Sequence, residues 1–348
     1  MSDRSYSQTW RRLKKNKGAV FGLIVISLAF FVAVFAYLIA PDNSLNADRQ
    51  TVEIQAKNPG YKQSFLRTST RLIPITGHIE FNQAGDSIKF NKYIDEDTSV
   101  TQSIALSEFS QTINSADLRT YVVTKKYWLG TDKLGRDILS RLIIGTRVSL
   151  SVGLIAVLIS LTLGILLGAL AGYFRGWIDE VIMWLVNVTW SIPTLLLVFA
   201  FTMAMGKGFW IIFIAVGLTM WVNVARLVRG QVMAVKELEY VQAAKALGLT
   251  NSRIIFRHIL PNISGPIMVI AASNFASAII IEAGLSFLGI GVQPPQPSWG
   301  LMIKENYNFI ITHKPMLALI PGFAIMLLVL AFNLLGNGLR DAFDVKDS

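Results

Sequence analysis

Six stretches of this chain are apolar over lengths that can cross a bilayer. They run about Gly18–Ala40, Thr146–Gly172, Ile178–Met205, Trp210–Val228, Ile263–Ile290 and Leu317–Leu335. A spanning helix needs about 20 apolar residues. In hydrocarbon, every backbone N–H and C=O must find its partner inside the chain. The expected fold is therefore an all-α, polytopic membrane protein with six transmembrane helices. Composition agrees: 53% of the 348 residues are hydrophobic and 16% are charged, whereas a soluble domain carries about 25% charged residues.

Charge sets the expected orientation. Arg11, Arg12, Lys14, Lys15 and Lys17 precede the first run. That run exceeds the ~7–15 residues of a signal-peptide core and has no good small-x-small cleavage site after it. It reads as an uncleaved span over 18–40 behind a basic, cytoplasmic 1–17. Six crossings return the 341–348 tail to the cytoplasm. The short segments then expected inside hold Arg175, Arg226, Arg229, Lys236, Lys245, Arg253, Arg257 and Arg340. The outer turn at Gly206-Lys207-Gly208 has one lysine, as the positive-inside rule expects. The net charge of +10 is read the same way, as lysine and arginine facing anionic lipid headgroups. No basic-aromatic nucleic-acid module is present. The absence of cysteine excludes disulfides, thiolate-ligated zinc, iron–sulfur sites and a lipidated N-terminal cysteine.

Residues 41–126 are polar and read as a small extracytoplasmic insert of β character. Ile73, Ile75, Gly77, Ile79 and Phe81 alternate with polar neighbours and Pro74, the period of a half-buried strand. Proline places that strand at a sheet edge. Asn82–Asp86 reads as a turn, and Ile88 and Phe90 as the returning strand.

The remaining segment, 127–340, holds five spans and the positions of interest. Gly164, Gly168 and Gly172 repeat every four residues, a stripe that lets another helix approach closely. The loop from Trp128 to Arg141 contains Asp132 and Asp137, with Arg136 between them. Its spacing fits no calcium loop, so it reads as a packed turn with internal salt bridges, and no metal site is expected. Glu282 lies in an otherwise apolar span, where acids are expensive. A pathway role and local capping near Gly284 and Ser286 both remain open for it. Asn187, Asn223, Asn274 and Asn333 are isolated amides in spans; most such amides bond between helices, and a minority line pores, which makes Asn274 and Asn187, with Glu282, the candidate pathway or gate residues.

The polar loop 237–262 carries the clearest functional pattern. Tyr240, Ala243, Ala244 and Leu247 recur at helical spacing as one small apolar face, with Gln242 and Lys245 off it. Gly248 is a helix stop. Asn251-Ser252 opens a second short helix that runs to His258, before Leu260-Pro261 ends it. Alanines at the face suit a protein cleft. An amphipathic helix lying on a membrane would carry bulkier groups. The chain has no phosphate-binding Gly-x-x-x-x-Gly-Lys-Ser/Thr loop and no nucleophile–base pair, so it reads as non-catalytic.

Taken with these features, Gly130-Thr-Asp-Lys-Leu-Gly-Arg-Asp137, Arg147-Val-Ser-Leu150, Ser191-Ile-Pro193, Glu282-Ala-Gly-Leu-Ser-Phe-Leu-Gly289 and Leu335-Gly-Asn-Gly-Leu-Arg-Asp-Ala-Phe343 resemble the inner-membrane permeases of ATP-binding-cassette importers. The nearest likeness is the C-type subunit of the dipeptide, oligopeptide and nickel group. The resemblance implies substrate translocation across the bacterial inner membrane by alternating access. It implies a homologous B-type permease, two ATPase subunits holding ATP and magnesium, and an extracytoplasmic binding protein, with no cofactor in this chain itself. It also implies that loop 237–262 is the coupling helix. Peptides are the implied substrates; nickel, another solute, or an ATP-independent secondary transporter are the alternatives. Three features depart from the family pattern. Gln242 stands where the general motif has Glu. Trp184 and Asn187 stand where an Arg and an Asp, expected to pair one turn apart, are usual. The insert is longer than the family leads one to expect.

Overall fold

The computed structural model describes residues 3–82, 86–109, 120–206, 208–312 and 314–343. Its chain divides into two compact units: Met1–Ala36, Gly145–Lys304 and Ile320–Ser348 in one, and Tyr37–Ile144 with Glu305–Leu319 in the other.

The first unit is helical. Its elements are α1 (Asp3–Lys15), α2 (Lys17–Val34), the bulk of α4 (Ile138–Phe174), α5 (Gly176–Trp190), α6 (Thr194–Met205) and α7 (Phe209–Lys236). They continue with α8 (Glu239–Ala246), α9 (Asn251–Ile254), α10 (Ser264–Leu288), most of α11 (Trp299–Asn306) and most of α12 (Met316–Phe343); α3 (Ala36–Ile39) follows directly on α2. Among the described residues, five helices are long and apolar enough to cross a membrane, or six if the bent pair α5–α6 counts as one.

Two differences from the hydropathy reading have simple causes. The expected span 178–205 is broken, because α5 and α6 meet at 94°. Pro193 supplies no N–H and bars its predecessor Ile192 from helical backbone angles. The amide of Ser191 closes α5 on the Asn187 carbonyl at 3.0 Å. Second, α4, α7 and α12 outrun their apolar windows. At 1.5 Å per residue the 37 residues of α4 extend about 55 Å, well beyond the ~30 Å hydrocarbon core. Hydropathy marks the part of a helix that sits in lipid, while hydrogen bonding carries the helix further.

The glycine stripe of α4 packs on α7. A Cβ on Gly164 would lie 2.4 Å from Val224 Cβ, one on Gly168 2.5 Å from the Ala225 carbonyl oxygen, and one on Gly172 2.7 Å from the Arg229 carbonyl oxygen. Gly217 of α7 answers from the other side, 2.7 Å from Ile159 Cβ by the same measure. Dispersion at this range replaces the hydrophobic drive that lipid cannot supply.

The second unit holds a five-stranded antiparallel sheet of order β4-β3-β2-β1-β5. Its strands are β1 (Tyr61–Arg67), β2 (Leu72–Phe81), β3 (Ser87–Tyr93), β4 (Ser99–Ala105) and β5 (Val122–Tyr127). Leu66, Ile73, Ile75, Ile88, Phe90, Ile104 and Phe109 form one buried cluster. The strand carrying Pro74 is β2, and it lies in the middle of the sheet rather than at an edge. Antiparallel ladders bond only at alternate pairs. The β2–β3 pairing begins at Ile75↔Lys92, one residue past the proline, so the missing N–H takes no rung from it. A register shift between Thr76 and Ile79, with Gly77 at φ +77°, interrupts the alternation read from the sequence; an inserted residue of this kind re-aims the side chains after it. Most of the proposed Asn82–Asp86 turn lies outside the described residues.

The unit extends past 126. Asp132 Oδ1 accepts from the amides of Leu134 (2.9 Å) and Arg136 (3.0 Å), so the loop folds on its own carboxylate. Arg136 pairs with Asp132 at 2.6 Å, Asp48 at 3.0 Å and Glu305 at 2.7 Å, and Arg141 reaches Glu305 at 2.9 Å. Burial works against the Arg136 guanidinium, but the charges of Asp132 and Glu305 outweigh it and hold its pKa above the usual arginine value. Gly135 adopts φ +72°, and a Cβ there would fall 1.8 Å from the Thr51 carbonyl oxygen. The turn is thus both left-handed and closely covered, which only glycine satisfies.

Candidate partner-docking site

The loop between α7 and α10 is a compact, keyed structure. Helix α8 turns through about 100° per residue, which separates its two faces. Val241 and Ala244 point inward, where they join Ile254, Ile255, Ile259 and Ile263, Val228 and Val232 of α7, and Ala169 and Tyr173 of α4 in one buried cluster. Tyr240, Ala243 and Leu247 point outward, with Leu247 79% exposed. Ala244, only 6% exposed, therefore leaves the apolar face on which the sequence placed it. One residue of rotation moves it from the outward surface to the support behind it.

Polar contacts fix this arrangement. Gly248 takes φ +78°, and the Leu249 amide donates to the Ala244 carbonyl at 3.2 Å, ending α8. Gln242 Nε2 caps the end of α7 through the Lys236 carbonyl at 2.9 Å. Helix α9 begins after Thr250, whose side chain makes no cap. The expected capping residue Asn251 instead accepts from the Tyr173 hydroxyl at 2.8 Å, and Lys236 Nζ donates to the Tyr173 carbonyl at 2.8 Å. Beyond α9 the chain widens into a π-turn over Ile255–Ile259, with the Leu260 amide donating to the Ile255 carbonyl at 2.9 Å. The widened turn leaves Phe256 61% exposed beside Arg253 and Arg257. Leu260 is half-buried against the inner cluster, while Pro261 is exposed. Asn262 Nδ2 closes the loop, donating to the Tyr240 hydroxyl at 2.8 Å and to the His258 carbonyl at 2.7 Å. Lys245 is exposed. Periodicity within α8 alone did not reveal Phe256, because its exposure depends on the π-turn.

The three candidate pathway residues go to separate places. Glu282 of α10 is fully buried and accepts from Ser286 Oγ at 2.7 Å and Ser149 Oγ at 3.3 Å. Ser298 Oγ in turn donates to Ser286 Oγ at 3.3 Å. Asn274 is buried and donates to Ser160 Oγ of α4 at 3.4 Å, a bond between helices. Asn187 of α5 is exposed and accepts from Arg226 Nη2 of α7 at 3.2 Å, and the Arg226 guanidinium lies 3.9 Å over the Trp190 ring. The hydrogen-bond partner of Asn187 is thus on a neighbouring helix, and Trp184, one turn away, is exposed. Sequence reasoning also missed the bidentate pair of Arg229 with Asp179, at 2.5 and 2.6 Å. The adjacent acids Asp179 and Glu180 at the start of α5, with Arg226 and Arg229 in α7, were its only signals.

The apolar helices agree with what the sequence matches. A model of the binding-protein-dependent transport system inner membrane component matches residues 164–346, and one of the N-terminal transmembrane domain of oligopeptide transport permease C matches residues 5–56. The glutathione transport system permease protein of Pectobacterium atrosepticum is 45% identical over 220 residues, covering 63% of this chain and 73% of that protein. The dipeptide transport system permease protein of Alkalihalophilus pseudofirmus is 44% identical over 221 residues, covering 64% and 72%. The oligopeptide transport system permease protein of Bacillus subtilis is 40% identical over 223 residues, covering 64% and 73%. With more than half of its length inside the first family model, the chain belongs to the binding-protein-dependent transport system inner-membrane components.

Proposed function

We propose that this chain is one permease subunit of an ATP-driven peptide importer and that its α8–α9 loop seats an ATPase subunit. The observation that carries the docking assignment is the outward patch of Tyr240, Ala243, Leu247 and Phe256, held on a backing of buried isoleucines and valines. Exposed apolar groups on a rigid base favour burial against a second protein, since each gains about 25 cal/mol per Å² of apolar area covered. The flanking Lys245, Arg253 and Arg257 suit an acidic rim on that partner.

The chain sits in the bacterial inner membrane with both termini in the cytoplasm, beside a homologous B-type permease. Two ATPase subunits hold ATP and magnesium, and this chain holds no cofactor. An extracytoplasmic binding protein delivers the substrate. ATP-driven closure of the ATPases pulls the two loops, and the spans rock between inward- and outward-open states. Peptides are the proposed cargo because the names of the three relatives above specify glutathione, dipeptide and oligopeptide transport. Uptake of a labelled dipeptide by proteoliposomes containing the assembled complex tests this. Uptake that requires internal ATP is the expected result, and uptake indifferent to ATP depletion overturns the mechanism.

A further inference from the structure

Within the sheet-containing unit, a cavity of about 170 Å³ is lined by Pro41, Asp42, Arg49, Lys125, Lys126, Tyr127 and Asp137. Its two acids are buried while Arg49 and Lys126 are exposed and Lys125 is half-buried, so carboxylates lie deep and cations lie near the opening. Among the described residues, no ion pair joins these acids to these cations. Asp42 is spent on its own turn, accepting from the amides of Ser44 at 3.0 Å and Arg49 at 3.3 Å. Asp137 is 7% exposed, and its Oδ2 accepts from the amide (3.1 Å) and hydroxyl of Ser140, but its Oδ1 has no hydrogen-bond partner. A buried carboxylate oxygen without a donor is costly. Burial and the charges of Asp137 and Asp42 push the Tyr127 phenol up, while burial and Arg49 push the Lys125 ammonium down. Asp42, Arg49, Lys125 and Asp137 line the same cavity, which puts their charges close together. Lys126 is engaged over the Trp128 ring at 3.4 Å.

We infer that this cavity binds a primary-ammonium zwitterion, with the ammonium at Asp137 and Asp42 and the anionic end at Arg49 and Lys125. An ammonium supplies the donor that Asp137 Oδ1 lacks. A bare divalent cation would face two nearby cations of the protein, and an anion alone would leave the buried acids unanswered. The volume fits a group the size of a few waters, such as an amino-acid or short-peptide terminus or the ethanolamine phosphate of a lipid. The site shares no residue with the docking loop and does not depend on it.

The test uses the full chain in phosphatidylcholine nanodiscs. Titration calorimetry with glycylglycine, and native mass spectrometry after adding phosphatidylethanolamine, separate the two sources. Binding of either zwitterion is expected. For glycylglycine it should fall about tenfold on N-acetylation, and for either ligand it should fall about tenfold in Asp137→Asn and in the exposed-site variant Arg49→Gln. An unchanged thermal melt in Arg49→Gln separates loss of binding from loss of fold. Failure of both zwitterions to bind, or binding indifferent to acetylation and to both substitutions, overturns the proposal.

Discussion

In the α8–α9 loop, apolar side chains stand in the open, whereas in the turn around Asp132–Arg141, charges are buried. Both invert the ordinary partition of a protein surface, and they do so for opposite reasons. Most of the buried charge in the turn is answered within the chain: Arg136 alone pairs with three carboxylates, and Asp137 Oδ1 is left without a hydrogen-bond partner. The loop is complete only on its inner side, where Val241 and Ala244 pack. Its outer side offers Leu247 and Phe256 without cover from this chain. The contrast separates groups that hold the fold together from groups that the proposed docking role assigns to a second surface.

Substitutions can break this contrast in graded steps. Arg136→Met should cost the most, about 3–5 kcal/mol, because it strands buried carboxylates; a lowered thermal melt of the purified chain checks it. Ala244→Asp should follow at about 2–3 kcal/mol, by burying an unpaired charge behind the loop, again seen in the melt. Ala243→Asp, one residue away, should leave the melt unchanged yet reduce co-purified ATPase about tenfold, or ~1.4 kcal/mol. Equal melts for the two alanine variants would sink the inward–outward assignment. Gln242→Ala should cost least, about 0.5–1 kcal/mol, through loss of its bond to the Lys236 carbonyl. Hydrogen exchange at the end of α7 measures that local loosening.

Much of this architecture was legible in the residues themselves. Hydropathy located the spans, and the glycine spacing marked a face of close approach. Alternation marked strands in the insert. What stayed hidden depended on neighbours distant in sequence. Pro74 looked like an edge residue because a strand's neighbours are not written in its own sequence. Asn187 gave no sign of its partner Arg226, which comes from another helix. The role of 305–319 in the sheet-containing unit rests on Glu305, more than 160 residues from Arg136 and Arg141, and on Lys314, which donates to the Ala56 carbonyl.

The sequence by itself determined that this chain lives in a bilayer, because lipid offers backbone groups no alternative partners. It also marked loop 237–262 as a helical, alanine-bearing interruption suited to a protein cleft. Only the tertiary structure decided which alanine faces outward and that Phe256 joins the patch. It also decided that the span ending at Met205 is bent. Each of those outcomes turns on where one helix meets another, and packing of side chains from distant segments sets that, not the period of any one segment.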